Sequence, residues 1–207
     1  MCYRSNIDAA KLTRAAQNEL TSSEDQPVLL AFLLALGAGL RRIEIDRLEW
    51  SAFRWDESVI RIEPTKYFDV KTEHSIGDVS VDPELMAVFR GYSARATGSF
   101  VIETNNLPIA DATFENYRAQ AVFERLIGWL RKKGVASGKP IHELRKEFGS
   151  MVNRKHGLTA AKDLLRHADI QITASHYIDA PRAATSGLGP LLTGKVVEFE
   201  REKGHSA

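Results

Sequence analysis

Between Ile141 and Tyr177 the chain carries His142 and His167, an arginine three residues after the first of them, Arg145, and a late tyrosine, Tyr177. These side chains suit work on a phosphodiester. Arginine stays charged at any working pH and offers a rigid fork of donors that matches phosphate oxygens, while histidine can hold or pass a proton near neutrality. A tyrosine phenol can attack phosphorus and become a covalent ester. Taken singly each signal is weak: an H-x-x-R on a helix is more often a surface or satisfied-core pair, and a tyrosine near a helix end is usually a packing residue. Their order along the chain is what gives them weight.

The elements that must position these groups can be read from the spacing of apolar residues. Residues three apart share a helix face, so His142 and Arg145 are expected side by side, with Leu144, Phe148 and Val152 turned to the core. Gly157 should end that helix, Thr159 should cap the next, and the segment from Leu164 to Ala168 should deliver His167. Upstream, a helix is expected over Ile7 to Leu20, then a second over about Glu24 to Leu36 that is apolar nearly all round and so buried, with Thr21, Ser22 and Ser23 as capping candidates. Gly37-Ala38-Gly39 breaks it, and a third helix starts at Leu40 or Arg41. The Gly-Ala-Gly has neither the Lys-Ser/Thr of a P-loop nor the third glycine of a dinucleotide fingerprint. Arg41 and Glu44 lie three apart on this third helix, where the carboxylate can lock the guanidinium; the bland alternative is a helix-surface ion pair worth little.

From Trp50 to Val81 the period changes to that of strands, at Val59 to Glu63 and at Gly77 to Val81, joined by a polar connection that holds Lys66, Lys71 and Thr72. Pro83 to Ala96 reads as a helix opened by proline, and Ser99 to Ile102 as a short strand or extended link. A long helix is predicted from a cap at Asp111 or Thr113 through about Lys133, its aromatics going to the core, with a linker from Gly134 to Pro140.

With 207 residues the chain is long enough for one well-buried core and too short for two large ones. Its formal net charge of +1 gives no bulk electrostatic footprint of a nucleic-acid binder, so any DNA surface must be a local concentration of charge. The single cysteine, Cys2, excludes an intrachain disulfide framework and a multi-cysteine zinc site, and fits a reducing compartment. The longest apolar run, Val28 to Leu36, falls short of the roughly 20 residues of a membrane span, and the N-terminus lacks the apolar stretch of a signal peptide. A soluble, cytoplasmic protein is expected.

Taken together, G-L-R-R-I-E-I-D-R-L-E-W (Gly39 to Trp50), Lys71-Thr72, H-E-L-R (His142 to Arg145), L-L-R-H-A-D-I (Leu164 to Ile170) and T-A-S-H-Y-I-D (Thr173 to Asp179) resemble, in order, the motif set of the tyrosine recombinases, the phage integrases and their relatives. The likeness runs from about Leu30 to about Leu192. It implies an α+β fold, mainly α-helical, with a small antiparallel β-sheet, and one catalytic domain over residues 1–207: a lead-in over about 1–23, a core over about 24–180, and a tail over about 181–207 whose residues Leu188 to Phe199 are expected to pack on a neighbouring protomer, or to fold back over their own domain when alone. The separate helical domain that family members usually carry ahead of the catalytic one is expected to be absent from these residues. The chain is thus expected to be a catalytic fragment or an unusually short member.

The chemistry the resemblance implies is cleavage and rejoining of double-stranded DNA through a 3′-phosphotyrosine. Arg41 matches the first active-site arginine, since Arg42 has Ile45 rather than an acid three residues later, and Glu44 supports it. Arg41 and Arg145 bracket the non-bridging oxygens, Tyr177 is the nucleophile, His142 is a base or positioning group, His167 bonds the scissile phosphate, and Lys71 protonates the departing 5′-oxygen. Lys66 competes with Lys71 for that role, because spacing does not separate them. No cofactor and no metal are implied: one ester replaces another, and two arginines supply the electrostatic stabilisation. His142-Glu143 is not a zincin helix, because position 146 is lysine. Self-association into a tetramer on DNA, no membrane partner, and a prokaryotic, DNA-associated setting follow from the same likeness. The sequence departs from the family pattern in Ala52, where an acid is frequent, in the ten residues from His167 to Tyr177, where nine is common, and in Arg166, where glycine usually precedes the histidine and a bulky side chain is expected to press on His167. Two other functions stay open: a non-catalytic DNA-binding or assembly module that keeps the fold, and a type IB topoisomerase-like relaxing enzyme.

Overall fold

The computed structural model describes residues 7–69, 76–108, 117–166 and 187–189. Within them the order is α1 (Ala9–Glu19), α2 (Gln26–Gly37), α3 (Arg42–Arg47), a 3-10 turn (Trp50–Ala52), β1 (Phe53–Arg54), β2 (Val59–Ile62), β3 (Gly77–Ser80), α4 (Pro83–Ser93), α5 (Gln120–Lys132) and α6 (Pro140–Leu165). The chain is mainly helical with one small antiparallel sheet, as the sequence implied.

A helix without a polar face must be surrounded, and α2 is: α3, α5 and α6 pack against it, and every residue from Leu30 to Gly37 is buried. Phe32 meets Trp129 of α5 edge to face at 5.6 Å. The cap of α2 differs from expectation. Asp25 takes that position without a side-chain cap bond, because its carboxylate is engaged by Arg125 at 2.7 Å and by Ser22, and Pro27 in the first turn has no N–H to satisfy.

The sheet is a meander in the order β1-β2-β3. Ile60 of β2 stands opposite Phe53 of β1 and Val79 of β3, and these three side chains face the core. On the other side, Arg61 pairs across the strands with Asp78 at 3.0 Å. β1 was not expected, since two residues carry no periodic signal.

The largest departure is the start of α5. The sequence placed it near Asp111 or Thr113, yet the helix begins at Gln120, and Tyr117 to Ala119 are not helical. Its cap comes from another element. Asp46 of α3, fully buried, accepts the backbone N–H of Arg118 at 3.2 Å and that of Ala119 at 2.8 Å. The Arg118 guanidinium returns to the carbonyls of Asp46 and Ile102 at 2.8 and 2.6 Å, closing the link between α3 and the entry to α5.

In α6 the expected break is present: Gly157 leaves helical geometry at φ 83, so two helical segments meet there. Leu144, Phe148 and Val152 are buried, as their spacing implied. Part of the apolar tail returns to its own domain. Leu188 is buried beside Gly37, and the backbone N–H groups of Leu188 and Gly189 donate to Asp82 at 2.9 and 3.2 Å. Among the described residues no helix is long and apolar enough to cross a membrane.

Candidate active site

Arg41 is the residue before α3, with extended backbone. Its own N–H donates to Glu44 Oε2 at 2.7 Å, and its Nη1 donates to Glu44 Oε1, also at 2.7 Å. The carboxylate therefore caps the helix and fixes the guanidinium with the same two oxygens. Burial alone would push the Glu44 carboxyl up; the guanidinium of Arg166, then those of Arg41 and Arg145, outweigh it and hold the group below the ordinary glutamate value. About a third of the Arg41 side chain stays exposed.

Arg145 reaches the same region from α6, more than a hundred residues away in sequence. It is buried, and its Nη1 and Nη2 donate to the carbonyls of Gly39 and Leu165. Gly39 sits in the sharp α2–α3 turn at φ +63, and a Cβ there would lie 2.3 Å from Phe148 Cδ1 of α6. Only glycine lets the turn approach α6 closely enough for its carbonyl to receive Arg145.

Arg41, His142 and Arg145 line one open pocket of about 460 Å³. Arg42 and Lys139 add two further cations to its wall, and no carboxylate is among the described residues that line it. In a chain with a net charge of only +1, this is a strong local concentration of positive charge. Desolvation by the wall, then the charges of Lys146 and Arg145, push the imidazole of His142 below the ordinary histidine value, so it is neutral and able to accept a proton at physiological pH. Arg42 does not compete with Arg41. Its guanidinium lies over the rings of Tyr117 and Phe123, at 4.0 and 4.6 Å, and bonds Gln120 at 2.7 Å.

Lys71, His167 and Tyr177 lie outside the described residues. Lys66 is exposed and sits 5.2 Å from the centre of the Tyr67 ring. Among the described residues no group of three or more His, Cys, Asp or Glu is placed to hold a metal ion.

The sequence did not assign a role to Arg166, and the structure gives it one. This residue ends α6 in the left-handed conformation, φ 49 and ψ 52, which costs a non-glycine residue about 1–2 kcal/mol. Its buried side chain runs past Gly77 to Glu44, where Nη2 meets Oε2 at 2.6 Å. Its carbonyl accepts Arg41 Nη2 at 3.0 Å. The usual glycine of the resemblance was a signal for a left-handed backbone here; nothing local in the sequence pointed to the ion pair.

A family model described as the phage integrase family matches residues 6–183. No curated protein matches the chain. Among solved structures, the Tn1549 transposon integrase in complex with circular intermediate DNA is similar at 17% identity and a TM-score of 0.54, over 88% of this chain and 64% of that one. A variant of that integrase with transposon right-end DNA is similar at 20% identity and the same TM-score, over 84% of this chain and 61% of that one. The chain thus spans less than two thirds of the integrase chains it resembles. With the match covering most of its length, and the expected helical fold and small sheet in place, the chain belongs to the phage integrase family.

Proposed function

We propose that the chain is the catalytic part of a site-specific recombinase that cleaves and rejoins double-stranded DNA through a 3′-phosphotyrosine. The observation that carries this reading is the pocket itself: two arginines from distant parts of the chain, each fixed by buried partners, share its wall with a neutral histidine and, among the described residues, no acid. Such a site accepts a phosphodiester and offsets the charge that builds on its non-bridging oxygens at the pentavalent transition state. Complexes of the similar Tn1549 integrase with circular intermediate DNA and with transposon right-end DNA are consistent with a duplex as the substrate.

In this mechanism the oxygen of Tyr177 attacks phosphorus and the bond to the 5′-oxygen breaks. His142 takes or orients the phenolic proton, and Lys71 gives a proton to the leaving 5′-oxygen. His167 bonds the phosphate alongside Arg41 and Arg145. The free 5′-hydroxyl of a partner strand then attacks the phosphotyrosine, so one ester replaces another, and a tetramer on two duplexes completes the exchange.

The test is a nicked duplex carrying the recombination site, from which the short strand beyond the nick diffuses away. Protein should become covalently attached to the 3′-phosphate, in the presence of a chelator, and the adduct should survive denaturant. Tyr177→Phe should abolish it, and Arg145→Ala should slow it about a hundredfold or more. An adduct that persists in Tyr177→Phe points to another nucleophile. Binding to a verified site with no adduct moves the chain to the non-catalytic class.

A further inference from the structure

We infer that Arg166 is a positioning residue for Arg41, holding it against the phosphate pocket through Glu44 and through its own main-chain carbonyl. The inference rests on the recombinase reading for its purpose but not for its geometry. Four contacts close a ring. Arg41 Nη1 meets Glu44 Oε1 at 2.7 Å, Arg166 Nη2 meets Glu44 Oε2 at 2.6 Å, the Arg41 N–H meets the same Oε2 at 2.7 Å, and Arg41 Nη2 meets the Arg166 carbonyl at 3.0 Å. Arg41 by itself engages both oxygens of Glu44, but only from within α3 and the residue before it. Arg166 ties the same carboxylate to the end of α6 through Oε2 and gives the second Nη of Arg41 an acceptor, so the pair is anchored from outside its own helix.

Two further observations separate this from incidental packing. The residue adopts a left-handed backbone that glycine would take without strain, so the arginine is present at a position where the fold alone favours its absence. Its Nε and Nη1 are buried with no hydrogen-bond partner among the described residues, which leaves the single bond to Glu44 as the anchor of the guanidinium. The arrangement also places the end of α6, one residue before His167, on the guanidinium of Arg41. The two halves of the phosphate site are thereby tied by a link separate from Arg145.

The experiment uses the full chain and compares wild type with Arg166→Gly, Arg166→Met and Arg166→Lys, each first shown by thermal melting to be folded. Arg166→Gly relieves the backbone, and Arg166→Met keeps most of the buried volume, so a folded variant without the charge is obtained from one or the other. Without DNA, labelling by phenylglyoxal is followed peptide by peptide, with Arg125 as internal reference. Loss of a charged bond that restrains Arg41 should raise its labelling rate about tenfold in the Gly and Met variants, with Arg166→Lys in between. With nicked duplex, single-turnover adduct formation should fall about tenfold or more while equilibrium binding to the site changes less than about twofold. Arg41 labelling unchanged from wild type in a folded Gly or Met variant overturns the inference. A wild-type chain that binds its site without forming adduct overturns the recombinase reading, and the labelling comparison still decides the link between Arg166 and Arg41.

Discussion

Asp46→Ala should be among the most destabilising single changes outside the apolar core. The carboxylate is fully buried and holds two backbone N–H groups, those of Arg118 and Ala119, at the entry to α5. Removing it leaves both donors buried without an acceptor, at about 1–3 kcal/mol each, and takes a charge partner from Arg118, so a loss of about 4 kcal/mol is expected. For a chain of this length each kcal/mol moves the melting temperature by about 2–4 °C, giving a fall of about 8–16 °C. Asp46→Asn should lose less than half as much. It keeps one acceptor oxygen, and it also removes a charge whose burial is unfavourable enough to push the Asp46 carboxyl above its ordinary value. Asp8 supplies the comparison, because it caps the exposed start of α1 through a 2.8 Å bond to the Lys11 N–H, and Asp8→Ala should cost only about 1 kcal/mol. Thermal and urea melts of the three variants decide the matter. If Asp46→Ala costs no more than Asp8→Ala, the claim that α5 is capped from α3 is wrong.

Three further outcomes are expected. Gly39→Ala should destabilise by about 2 kcal/mol or more, through its positive φ and the contact with Phe148, and should slow adduct formation because the displaced carbonyl is one that holds Arg145; urea melts and the nicked-duplex assay read the two effects. Glu44→Gln should cost about 3 kcal/mol near pH 7 by leaving buried guanidinium groups uncompensated. Because the Glu44 carboxyl is held below its ordinary value, its contribution is present above about pH 4.3 and is lost as the pH falls through the depressed value, so denaturant melts should show the gap between wild type and variant shrinking in that acid range. Leu188→Ala should destabilise the isolated chain by about 3 kcal/mol, since this leucine is buried against its own domain; an unchanged melting curve would place it elsewhere in solution.

Legibility in the sequence followed the range of the interactions. The apolar α2, the face of Leu144, Phe148 and Val152, the break at Gly157 and the two longer strands are set by residues near one another in sequence, and they could be read. So could the pairing of Arg41 with Glu44, three residues apart. The start of α5 could not, because its cap is 72 residues away in Asp46, and Asp111 and Thr113, which lie outside the described residues, offered capping residues of the right type. Nor could the carbonyls that hold Arg145, which come from backbone and leave no mark in side-chain identity. Arg166 stood out as a departure from a pattern, yet its partner lies 122 residues upstream and no local rule connects the two.

The double engagement of Arg145 has a consequence for genetics. Its guanidinium joins the α2–α3 turn to the end of α6, so it would be kept by selection for folding even in a copy that did not carry out the proposed reaction. Its survival in a decayed relative is therefore a poor sign of activity. By the same logic, an alanine at 145 confounds two losses, and a dead variant does not by itself reveal which one occurred. Positions that touch the pocket without bracing the scaffold, His142 foremost, are where drift would first show that the pocket had lost its use.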